Sequence, residues 1–72
     1  MESATEHREA SISDKLIEYL TLAHEAGERP KSANAAIRAA HVNRAEGLRA
    51  WADLTKTGMI RKHHEGGWFC AR

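Results

Sequence analysis

In the stretch SISDKLIEYLTLAHEAG, apolar residues fall at Ile12, Leu16, Tyr19, Leu20 and Ala23, with Ile17 widening the stripe. Recurrence every three or four positions predicts a helix with one buried face. Ser11 with Asp14 three residues on has the form of a capping box, and Ser13 is an alternative cap. Gly27 is a natural stop, since it takes the left-handed conformation after a last turn.

Pro30 disfavours helix at Arg29, so ERPK reads as a connector. SANAAIRAAHV predicts a short second helix capped at Ser32, with Ala36, Ile37, Ala40 and Val42 buried. NRAEGLRAWADLTKTG predicts a third helix. Asn43 is its N-cap and Glu46 sits at the third helical position. Leu48, Trp51 and Leu54 recur three apart, Ala50 and Ala52 can join them, and Gly58 ends the helix. Two short strands follow, Ile60 to His63 and Trp68 to Cys70, with EGG supplying positive φ between them. Residues 1–10 lack a core pattern and read as a flexible or partner-ordered tail ahead of one domain, residues 11–72.

The second and third helices are separated by a residue or two, so they should cross steeply, as in a helix-turn-helix unit. A hairpin directly after the third helix makes the unit winged. The expected fold is therefore mainly α with a small β-hairpin, a three-helix winged helix-turn-helix.

Seventy-two residues bury a modest core, so stability is marginal without a metal, a disulfide or a partner subunit. Cys70 is the only cysteine, which excludes a disulfide within the chain. No apolar run is long enough to span a bilayer and no apolar signal core opens the chain. A reducing, cytoplasmic setting is expected, with no membrane partner. Charge is divided unevenly: residues 1–28 hold seven acids against two bases, and residues 29–72 hold nine bases against three acids. A basic half suits a polyanion, and a dipolar chain whose halves attract each other would show the same division.

VNRAEGLRAWADLTKTGMIRK resembles the recognition-helix stretch of winged helix-turn-helix regulators of bacteria, phages and plasmids. Val42, Asn43, Trp51, Leu54, Gly58, Met59 and Ile60 match the apolar plug, polar cap, spaced anchors, terminal glycine and apolar pair of that pattern. The resemblance extends over roughly residues 11–72. His41 departs from it where glycine is frequent, and Gly47 where a larger apolar residue is usual. His tolerates the left-handed region better than most side chains, and Gly47 would allow close approach to the first or second helix.

The resemblance implies a sequence-specific double-stranded DNA-binding protein, a small repressor or regulator or a plasmid or phage accessory factor. Residues 43–57 would enter the major groove, and residues 60–72 would lie on the backbone or in the minor groove, placing the protein at the nucleoid. Arg44 and Arg49 are the expected base readers, because a guanidinium bridges two acceptors on guanine. Asn43 and Glu46 have base-reading chemistry but also capping roles. Lys31 and Ser32 are placed to meet phosphate at the second helix start, and Arg61, Lys62, His63 and His64 on the wing. Lys56 suits the helix dipole better than DNA. His63 and His64 would make affinity fall as pH rises through their range. A homodimer or oligomer on repeated half-sites is expected, joined through the first helix or the tail. Another reading is a winged-helix adaptor that binds a protein partner through the acidic first helix and a wing aromatic; RNA binding by the same fold is a third.

No enzymatic activity is expected, since so small a chain leaves little room for a pocket. No cofactor is expected either. His63, His64 and Cys70, with His41 or His24, are zinc-type ligands without zinc-type spacing. Adjacent histidines on a strand would also face opposite ways, so no metal site is expected. Trp51 is assigned to the core. One of Trp68 and Phe69 must face away from it.

Overall fold

The computed structural model describes residues 11–71; the expected N-terminal tail, residues 1–10, lies outside them. Three helices come first: α1 (Ile12–Ala26), α2 (Ala33–Ala40) and α3 (Arg44–Lys56). A two-stranded antiparallel sheet follows, β1 (Ile60–Lys62) and β2 (Trp68–Cys70).

The helix starts form where the sequence places them. Ser11 Oγ accepts from Asp14 N–H at 3.1 Å, Ser32 Oγ from Ala35 N–H at 3.1 Å, and Asn43 Oδ1 from Glu46 N–H at 3.0 Å. Each cap satisfies an amide that the helix cannot, a contribution of about 1 kcal/mol. α1 closes at Gly27 in the left-handed region. α2 closes the same way at His41 (φ 59°), a non-glycine residue with positive φ. Between His41 and Asn43 only Val42 remains, and its N–H donates to Ile37 O. The chain therefore turns from α2 into α3 with both helix ends capped.

The core is built from the inner faces of all three helices and the first strand: Leu16 and Leu20 of α1, Ala36 and Ile37 of α2, Ala50, Trp51 and Leu54 of α3, and Ile60 of β1. Leu16 and Leu20 are fully buried, each contributing about 1.5–3 kcal/mol of burial. Trp51 supplies bulk that the alanines lack, and its ring meets Trp68 edge-on at 5.6 Å.

Two buried assignments change. Leu48 is exposed (38 %), and so is Ala52. The inner face of α3 is instead Gly47, Ala50, Trp51 and Leu54. Val42 and Ala40 are half-buried, packed on the edge of the core. The reason for the shift is the approach of α2: a Cβ on Gly47 would lie 2.9 Å from Ile37 Cγ1 and 3.1 Å from Val42 Cγ2. A small residue thus marks a close contact between α2 and α3, and the large Leu48 is rotated outward.

In the hairpin Ile60 pairs with Cys70, Arg61 with Phe69 and Lys62 with Trp68. Cross-strand partners share a face. Ile60, Cys70 and Trp68 pack on the core, while Arg61 and Phe69 take the other face. β1 ends one residue earlier than expected, at Lys62, and His63 opens the turn. The hairpin is also docked sideways. Trp68 N–H donates to Pro30 O at 2.9 Å, and Arg29 Nε donates to Gly66 O at 3.0 Å. The ERPK connector is thus a seat for the hairpin, not a spacer.

Candidate nucleic-acid interface

With Gly47, Ala50, Trp51 and Leu54 turned inward, helical spacing puts Ala45, Arg49, Ala52 and Lys56 on the opposite face of α3, and all four are exposed. Arg44 lies on the flank of this face toward α2. There it borders a shallow open groove with Asn34, Ile37, Arg38 and Val42. Arg38, in the last turn of α2, is exposed beside Arg44's groove and belongs with the basic set. Lys56 shares the face of Arg49 two turns on, a position that a dipole role alone does not require. Arg38 does not follow from the sequence pattern. Only the placement of α2 against α3 brings Arg38 to the same surface.

Among the described residues, the ion pairs are Arg29–Glu65 and His64–Glu65. Lys31, Arg38, Arg44, Arg49, Lys56, Arg61 and Lys62 take no part in them. Exposed guanidinium and ammonium groups without an acid partner keep their attraction for an outside anion.

The capping residues are constrained. Asn43 Oδ1 accepts from Glu46 N–H, so the oxygen that would read adenine also caps α3. Its Nδ2 remains a donor. Ser32 Oγ likewise accepts from Ala35 N–H and keeps its hydroxyl proton to donate. Lys31, next to it, is exposed at the head of α2. Glu46 is exposed in the first turn of α3, where its charge suits the helix dipole.

The hairpin divides the four wing candidates. Arg61 and Lys62 are exposed on the strand. His63 and His64 are in the turn, and strand alternation no longer separates them: their rings stack 4.3 Å apart, 25° from parallel. His63 is half-buried in an aromatic cluster with His24 (5.5 Å) and Phe69 (5.3 Å). Phe69 in turn stacks on His24 at 5.1 Å. Phe69 is therefore the aromatic turned from the core, and it is covered on one side by the end of α1. Glu65 N–H donates to His63 Nδ1 at 3.0 Å. Loss of solvent, then the charges of Arg29 and His64, hold the His63 imidazole below its ordinary value of 6.5, against a smaller pull upward from Glu65.

Arg29 organises this end of the molecule. Its side chain is 14 % exposed, with Nε on Gly66 O, Nη1 3.3 Å from His24 Nδ1 and Nη2 3.6 Å from Glu65 Oε1. Its sequence neighbourhood gives no hint of its hold on the hairpin, because Gly66 lies 37 residues away in the chain. No described helix is long and apolar enough to cross a membrane. Comparison with protein-family models, curated proteins and solved structures finds no match to this chain.

Proposed function

We propose that the chain is a winged helix-turn-helix protein that binds double-stranded DNA, with α3 as its reading helix and the hairpin as its wing. The observation that carries the reading is the exposed charge on α3: Arg49 stands on its outward side and Arg44 on its flank toward α2, neither in an ion pair among the described residues, on a capped helix braced against α2. Ala45 and Ala52 between them are small, so the helix backbone can sit deep in a major groove, where alanine also packs on the thymine methyl. Arg38 and Lys31 on α2, and Arg61 and Lys62 on the hairpin, extend the basic surface to either side as phosphate contacts. Regulation of transcription, or an accessory role in plasmid or phage maintenance, is the use this surface suits. One domain offers few contacts, so useful affinity requires two copies on adjacent half-sites.

The test is titration of a fluorescent duplex at several salt concentrations with the wild type and with Arg44→Glu/Arg49→Glu. Steep salt dependence in the wild type, and its loss with the folded charge-reversed variant, is the expected result. Binding that ignores salt, or that survives the reversal, rejects this assignment.

A second reading rests on α1. Leu22 is 60 % exposed beside a shallow groove lined by Asp14, Ile17, Glu18 and Thr21. An acidic rim around an apolar patch suits a protein partner, as an adaptor would have. Under that reading the charge-reversed variant keeps its activity and its partner, while Leu22→Glu loses both.

A further inference from the structure

We propose that the hairpin tip is an exchangeable site for a borderline divalent transition-metal ion such as zinc, bound by His63, His64 and Glu65. Their ligand atoms all lie within 4.8 Å of one another. Bond lengths of about 2.0–2.1 Å set the ligand atoms around a tetrahedral ion about 3.3 Å apart. Closing the difference requires the His64 ring to leave its stack on His63 and turn toward the ion, a rotamer change open to exposed side chains: His64 is 81 % and Glu65 68 % exposed. The turn removes the obstacle a strand would impose, because both imidazoles lie on one side of the chain.

The carboxylate is already oriented. Arg29 Nη2 faces Glu65 Oε1 at 3.6 Å, and Oε2 faces His64 Nε2 at 3.8 Å. One oxygen is thus held from behind and the other is aimed at the imidazole pair. Arg29 is fixed by its bond to Gly66 O, so it acts as an outer partner that positions the ligand. His63 Nδ1 accepts from Glu65 N–H, so that nitrogen is unprotonated; an ion taking its lone pair replaces the amide. Two nitrogens and one carboxylate suit zinc, nickel or copper, and fail the all-oxygen preference of calcium and magnesium. Three protein ligands leave coordination positions to water, and the nearby Arg29 charge weakens the hold. Both make the site one that exchanges its ion.

Calorimetric titration of the full chain with zinc chloride tests this, with histidine ring resonances followed by NMR. One ion per chain is expected, shifting the rings of His63 and His64. His63→Asn, His64→Asn and Glu65→Gln should each weaken binding by at least the roughly tenfold that even an outer partner of a ligand contributes. His41→Asn, remote in sequence and able to keep the left-handed cap, should bind as the wild type does. No binding at millimolar zinc, or tip variants that bind like wild type, overturns the proposal. If His63→Asn unfolds the chain, the exposed His64 and Glu65 variants decide the matter alone.

Discussion

Gly47 meets Ile37 so closely that a methyl group added at Gly47 would fall 2.9 Å from Cγ1 and 3.0 Å from Cγ2 of the isoleucine. Ile37 is 3 % exposed and branched at the contact, so it can give way only toward the groove it lines with Arg38 and Arg44. Gly47→Ala gains about 1 kcal/mol of helix propensity and incurs about 1–3 kcal/mol of overpacking. A net loss of about 1 kcal/mol is expected, read as a fall in the thermal midpoint. Ile37→Ala empties the contested space, so the double variant should lose less than the two single losses added together.

Two glycines with the same positive φ should behave differently. Gly58 and Gly67 both have φ of 86°. A Cβ at Gly58 meets open space, whereas at Gly67 it would lie 2.6 Å from Arg29 Cβ and 3.1 Å from the carbonyl oxygen of Arg29. Gly58→Ala should cost only the left-handed strain, about 1–2 kcal/mol. Gly67→Ala adds a collision with backbone and should cost clearly more, with the hairpin pushed off the connector. Chemical denaturation of both variants ranks them; equal losses would mean that the contact with Arg29 is unimportant.

Acid should loosen the hairpin end. His63 has a folded-state pKa below the unfolded 6.5, so the unfolded chain binds its proton more readily. The stability from this group is complete above 6.5 and declines as pH falls through the folded value. Denaturant unfolding at about pH 7.5 and about pH 5 should show a loss that His63→Gln reduces. A variant that loses as much as wild type would assign the acid sensitivity to other groups.

If the α3 face binds a duplex, Arg38 should contribute through phosphate alone. Arg38→Ala should weaken binding to all sequences alike and lower the slope of log affinity against log salt by about one. Arg49→Ala should instead also relax sequence preference, by about 1–3 kcal/mol at one base pair. A selective loss with Arg38→Ala would move the reading edge from α3 to α2.

Local signals in the sequence identified the helices well, because caps and breakers act over three or four residues. Ser11, Ser32 and Asn43 each cap as their spacing implies, and His41 takes the left-handed turn in place of glycine. The face of α3 was harder. Leu48, Trp51 and Leu54 recur at a helical interval, but the helix is rotated toward its small residues by the nearness of Ile37. Distance along the chain hid the rest. Arg29 reads as one charge in a connector, and its role exists only once Gly66 and Glu65 are brought to it. The histidine pair was misread because alternation holds only inside a strand, and β1 stops one residue short of them. On the candidate interface, Arg44 and Arg49 were visible as charges on a helix, whereas Arg38 needed the packing of α2 on α3 to join them.

The seat that Arg29 and Pro30 provide for the hairpin has a bearing on the entropy of any encounter. An arm that swings freely must be immobilised when it meets a ligand, at a cost to affinity. Here the Trp68 amide is committed to Pro30 and the turn to Arg29 before any ligand arrives. Opening the hairpin would uncover Trp51 as well, so the Trp68 amide should exchange with solvent only as slowly as the whole domain unfolds. If α3 and the hairpin do bind a duplex, they would therefore meet it as a rigid template, favouring grooves that already match its spacing.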